Sequence, residues 1–213
     1  MALTDDFNRA DGALGANWTK EVSGGASAVA IVSNEIQMDT EWTAHRHVYV
    51  YNASQPPNDQ YAQIAYTGGD SNTNTLCGPA CRFTIDGSKN GYSYTAEQDG
   101  TDGTLWRWDA GVATSINWIA AAGATNASVL KIVASAGTFI GYVDGAQKNP
   151  AAGSTADATY ASGYAGFNYR SNRALANLGE LDNFEATEPV AAGQPTIKRF
   201  GGLPHVAVNR GVW

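Results

Sequence analysis

A chain of 213 residues has room for one sandwich-sized core and an appendage. With 15% charged residues against 24 Gly, 10 Tyr and 6 Trp, the composition fits an all-β protein with many turns and argues against long helices. The formal charge of −7 is unevenly divided: residues 1–188 carry ten Lys/Arg against twenty Asp/Glu, whereas residues 189–213 carry Lys198, Arg199 and Arg210 and no acid. An acidic body excludes wrapping of nucleic acid, and no apolar run is long enough to span a bilayer.

The first twelve residues, MALTDDFNRADG, lack the basic and apolar regions of a secretory signal. The expectation is cytoplasmic synthesis without the usual export, so the sequons at Asn17, Asn52 and Asn126 carry no meaning. Residues 3–7 predict a first strand, followed by a loop over residues 8–17 built on Asp-Gly and Leu-Gly turns. Residues 28–32 and 35–39 form a hairpin across Ser33-Asn34. Further strands are expected over 45–51, 61–67, 76–86, 91–98, 104–109 and 115–119, about ten residues apart with turn residues between, the spacing of a sandwich. Residues 128–147, SVLKIVASAGTFIGYVDGAQ, carry the strongest local signal. Leu130, Ile132 and Ala134 alternate with Val129, Lys131 and Val133, Ala136-Gly137 interrupts the run, and Asp144-Gly145 supplies a two-residue reversal of type I′. Strands over 163–169 and 178–186 end the body.

Glu188-Pro189 begins a change of character. Residues 189–194 read as a linker, and residues 195–213 as an arm that is basic and apolar. The arm is too short for its own core, and an apolar terminus needs cover.

The pattern L-K-I-V-A-S-x-G-T-x-x-x-Y-V-D-G resembles the late hairpin of concanavalin-like and laminin-G-like jelly rolls. The stretches DDFNRADGALGANWT, CGPACRFT, NGYSYTAEQDG, TLWRWDAG, ASGYAGFNYRSN and LDNFEA fall in matching order, over about residues 3–187. The resemblance implies an antiparallel jelly-roll β-sandwich over residues 1–188 with an extended C-terminal arm, and a first strand lying beside the last near Asp182-Asn183-Phe184. It does not imply an activity, because the fold carries lectins, glycosidases, adhesion modules and virion proteins.

Candidate sites follow. Tyr92 and Tyr94 share one face of a strand, as do Trp106 and Trp108. Flat rings stack on sugars, and Arg82 and Glu97 could bond hydroxyls, so these six are the candidate glycan-binding residues, although one aromatic pair is expected to be core. Glu180-Leu181-Asp182-Asn183-Phe184-Glu185 is similar to the E-x-D-x-x-E catalytic strand of laminarinase-like glycosidases, in which a bulged strand aims three carboxylates at the sugar. Asn183 departs from that family's apolar residue, and the strand is the last one; the expectation is no catalysis here. Asp5, Asp6 and Asp182 would converge if the first and last strands pair, making Asp5 and Asp182 the candidate ligands of a structural Ca²⁺, with no cofactor required. His45 and His47, two apart, read as exposed strand residues in the absence of a third metal ligand. Cys77 and Cys81 read as two reduced thiols serving as small apolar residues.

An export-free start, a lectin-like body and an arm of opposite charge fit a non-enzymatic phage virion protein, decorating a capsid or associated with a tail. Lys198, Arg199, Phe200, Leu203, His205, Arg210 and Trp213 would dock the arm on other virion proteins. The body would touch host-surface glycan, as a homo-oligomer, with no nucleic-acid or membrane partner. The rivals are a β-glycan hydrolase using Glu180 and Glu185, and a cellular carbohydrate-binding module.

Overall fold

The computed structural model describes residues 2–23, 28–38, 45–68, 75–97, 102–120, 123–149, 155–171 and 180–187. Among these residues there are seventeen strands and no helix. In chain order they begin with β1 (Leu3–Asp5), β2 (Gly12–Ala13), β3 (Trp18–Ser23), β4 (Val29–Val32), β5 (Glu35–Met38) and β6 (His45–Tyr51). Then come β7 (Gln60–Gly68), β8 (Thr75–Phe83), β9 (Gly91–Glu97), β10 (Asp102–Asp109) and β11 (Val112–Ala120). The last six are β12 (Val129–Ser135), β13 (Thr138–Val143), β14 (Ala146–Asn149), β15 (Thr155–Ala156), β16 (Tyr164–Ser171) and β17 (Glu180–Thr187).

They form two antiparallel sheets. One has ten strands in the order β14-β13-β12-β7-β17-β5-β4-β2, with β1 on β17 and β15 on β13. The other has seven, β11-β10-β9-β8-β16-β6-β3. The first strand does lie beside the last, with Asp5 opposite Phe184. The linker, residues 189–194, and the arm with its candidate residues Lys198, Arg199, Phe200, Leu203, His205, Arg210 and Trp213 lie outside the described residues.

Four two-residue hairpins are closed by consecutive positive φ values: Ser33-Asn34, Ala110-Gly111, Ala136-Gly137 and Asp144-Gly145. This is the type I′ geometry, whose twist matches that of the flanking strands. The expected alternation holds in β12, where Leu130, Ile132 and Ala134 are fully buried. The main core lies between the sheets. Tyr92 of β9 meets Phe139 of β13 with ring centroids 4.0 Å apart, and Trp18 of β3 meets Phe184 of β17 at 5.0 Å. Gly141, in a strand otherwise rich in bulky residues, lies under the Tyr94 ring; a Cβ there would come within 2.6 Å of it.

Two expectations need correction. Residues 18–23, whose pattern predicts no strand, form β3, an edge strand with a bulge between Lys20 and Val22 that breaks the alternation. His47 is not an exposed strand residue: it is fully buried, opposite Tyr169. Cys77 and Cys81 are free and buried in the main core, and burial pushes both thiols up to about 12.

Candidate functional site

Alternation divides the candidate aromatic residues between the two sides of the seven-stranded sheet. In β9, Tyr92, Tyr94 and Ala96 enter the main core, so Ser93, Thr95 and Glu97 point outward. Trp106 pairs with Ser93, so it and Trp108 are outward too. Tyr92 and Tyr94, both fully buried, are therefore core residues and withdrawn from any surface ligand.

The outer face carries its own small core. Val22, Val48, Val50, Ala80, Phe83 and Trp108 pack together, with Trp106 against them. Trp108 is 1% exposed and donates Nε1–H to Ser93 Oγ at 2.9 Å, so it too is closed to ligands. Trp106 is half-buried, donates to Thr95 Oγ1 at 2.8 Å, and lies beneath Arg46, whose Cζ is 4.5 Å from the ring centroid. Arg46 is on β6 and Trp106 on β10, with β16, β8 and β9 between them. Four strand spacings amount to about 19 Å along a flat sheet. The contact forms because this sheet is curved and the face is concave.

Three further side chains belong to this face. Trp118 of β11 opposes Thr104 and is 61% exposed. Arg170 of β16 directly opposes Arg46. Asn168, two residues before Arg170, is 2% exposed; its Nδ2 donates to Ser93 Oγ at 3.3 Å, while its Oδ1 has no hydrogen-bond partner. Arg46, Trp118, Asn168 and Arg170 escaped the sequence reading. The signal for Arg46 was present, because the alternation that turns His47 inward turns its neighbour outward. Glu97 shares the face, one strand pair from Leu76, which in turn opposes Arg170.

Arg82 is placed elsewhere. Its φ of +51° and its burial aim it into one end of the sandwich. There it donates to the carbonyls of Asn58 at 2.9 Å and Tyr160 at 3.4 Å, lies over Phe139, and faces Asp59 at 3.6 Å. It lines a cavity of about 290 Å³ with Asn58, Asp59, Ala136, Gly137, Ala158 and Ala161, and is not part of the concave face.

The acidic strand β17 is bulged between Asp182 and Glu185, with Asn183 at a φ of +53°. Leu181, Phe184 and Ala186 enter the core, so Glu180, Asp182 and Glu185 stand on the outside of the ten-stranded sheet. Glu185 accepts from the Tyr61 hydroxyl and from Gln63 Nε2 at 3.1 Å. Glu180 accepts from Gln37 Nε2 at 2.8 Å; burial and the adjoining Glu35 carboxyl push its pKa up to about 7.

Asp5 does not fit a calcium ligand. Its two oxygens accept from Phe7 N–H at 2.9 Å, Arg9 at 2.6 and 3.1 Å and Trp18 Nε1–H at 2.7 Å, filling its lone-pair directions. Burial alone would raise its pKa, but the Arg9 and Trp18 hydrogen bonds hold it below the usual carboxylate range. Asp182 keeps one buried oxygen, Oδ1, without a partner; among the described residues it belongs to no cluster of three metal-capable side chains.

No protein-family model and no curated protein matches the chain. Solved structures do. A carbohydrate binding module from Bacillus subtilis superposes with a TM-score of 0.58 at 16% identity, covering 78% of this chain and 91% of the module. A Bacillus licheniformis beta-glucanase gives 0.58 at 12% identity, covering 88% and 98%. The VIP36 exoplasmic/lumenal domain, in a Ca²⁺/Man2-bound form, gives 0.53 at 9% identity, covering 91% and 90%. At these identities the likeness establishes the fold alone, a concanavalin-like jelly-roll sandwich.

Proposed function

We propose that the protein is a non-enzymatic glycan-binding jelly roll whose ligand meets the concave face of the seven-stranded sheet. The observation that carries this reading is Trp118, an indole 61% exposed at the edge of a face that also presents Arg46, Arg170 and Glu97. An exposed indole offers a flat apolar platform for a sugar ring, and flanking polar groups bond its hydroxyls. The carbohydrate-binding neighbours support the reading at the level of fold. The stacking role moves from Trp106 and Trp108, both covered, to Trp118. A panel of immobilised neutral and charged glycans tests it: Trp118→Ala should abolish retention while the protein stays folded, and unchanged retention would refute the placement.

Within this reading the body is mounted on a phage particle through residues 195–213 as a homo-oligomer. The support is the charge division, an acidic body against an arm bearing Lys198, Arg199 and Arg210 and ending in Trp213. Deleting the arm should stop incorporation into particles; an armless chain that still loads would refute the mounting. A hydrolytic reading keeps one observation in its favour, the Glu180 carboxyl raised to about 7 on a bulged strand. Polysaccharide cleavage that vanishes in Glu180→Gln would establish it in place of the binding reading.

A further inference from the structure

Arg46 and Arg170 are direct cross-strand partners on the outward side of β6 and β16. Like charges placed opposite one another cost stability. Elsewhere the described arginines are matched: Arg9 with Asp5, Arg82 with Asp59, and Arg107 with Asp109 and Asp157. Among the described residues neither Arg46 nor Arg170 has an acidic partner. Burial and the nearby Arg170 both disfavour the charge on Arg46, which an added anion would relieve.

Asn168 sits beside this pair, on β16 two residues before Arg170, and on the same face. It is 2% exposed, yet its Oδ1 accepts no hydrogen bond. A buried acceptor without a donor is costly, and a ligand hydroxyl would satisfy it. Arg46, its Cζ 4.5 Å from the Trp106 centroid, carries a fork of N–H donors of the kind that meets a carboxylate or a sulfate bidentately.

Resting on the glycan-binding reading, we propose that the concave face is selective for an anionic sugar residue, its carboxylate or sulfate held between Arg46 and Arg170 and a hydroxyl donating to Asn168. The formal charge of −7 makes general attraction to a polyanion unfavourable, so the selectivity is a property of this pair.

The test uses the full chain and four polymers: polygalacturonate and its neutral methyl ester, dextran sulfate and neutral dextran. The expected result is retention by polygalacturonate or dextran sulfate and not by the matching neutral polymer; which of the two binds separates carboxylate from sulfate. Arg46→Gln combined with Arg170→Gln should weaken that retention on the order of tenfold or more, while the protein keeps a single cooperative melting transition. The arm is intact in both forms, so its three cations cannot produce the difference. Equal retention of charged and neutral polymers would overturn the anionic selectivity and leave the glycan reading standing. Retention unchanged in the double variant, or no retention of any of the four, would overturn it as well, and the wider glycan panel then decides the glycan reading separately.

Discussion

Arg46 and Trp106 meet across three intervening strands, with the guanidinium carbon 4.5 Å from the indole centroid. On the β10 side Trp106 stands opposite Ser93 and bonds Thr95, both of them buried. The pair ties β10, next to one edge of the sheet, to β6, next to the other, so the contact should contribute both to stability and to the shape of the face.

A double-mutant cycle measures that contribution. Trp106→Ala should cost about 2–4 kcal/mol, from lost packing and the lost bond to Thr95. Arg46→Ala should cost about 1 kcal/mol or less, and the coupling between the two should be about 0.5–2 kcal/mol. Urea denaturation of the four proteins gives these values; a coupling of zero would mean that the contact contributes nothing.

Glu180 makes stability fall with rising pH. Burial and Glu35 raise its pKa in the folded protein to about 7 from an ordinary 4.5. Between those values the folded state holds a proton that the unfolded state has lost. This contribution is fully present below about pH 4.5 and is lost as pH rises through about 7. Melting temperatures measured from pH 4.5 to 8 should decline, and Glu180→Gln should flatten that decline and stabilise the protein at pH 8.

Asp157 has the opposite sign. Burial raises its pKa, but hydrogen bonds from Thr159, Tyr92 and Arg107 more than offset this and bring it to about 2. Its contribution is present above the ordinary carboxylate value of 3.8 and is lost as pH falls toward about 2. Asp157→Asn should cost about 1–3 kcal/mol at pH 7, and the deficit should shrink as acid denaturation of the parent protein is approached. A constant difference across pH would exclude an ionised Asp157 as the cause.

The two thiols should be inert in the folded protein. Burial raises both to about 12, leaving almost no thiolate at neutral pH, and neither sulfur is exposed. An alkylating reagent at pH 8 should modify Cys77 and Cys81 only at the rate of unfolding, and both rapidly in denaturant. Fast modification of either in the native protein would show that its surroundings open.

Turn chemistry and period-two alternation sufficed for most of the strands, because both act within a few residues. Ser33-Asn34 and Asp144-Gly145 adopt positive φ locally, and Leu130, Ile132 and Ala134 share a face by chain geometry. The edge strand β3 escaped because a bulge at Lys20 and Val22 interrupts its pattern. Alternation also grouped Tyr92 with Tyr94 and Trp106 with Trp108, yet it is symmetric about the sheet. Which pair became core depended on the second sheet, whose Phe139 packs on Tyr92 and whose Gly141 admits Tyr94.

The acidic body, the basic terminus and the jelly-roll pattern were thus properties of the chain itself, written in residue types and short spacings. The candidate site was settled only by long-range assembly. Its parts, Trp118, Arg46, Asn168 and Arg170, come from three strands spread over more than a hundred residues, brought to one face by the register and curvature of a seven-stranded sheet. Neither register between distant strands nor sheet curvature has a local signature. Both arise from packing the seven-stranded sheet against its ten-stranded partner.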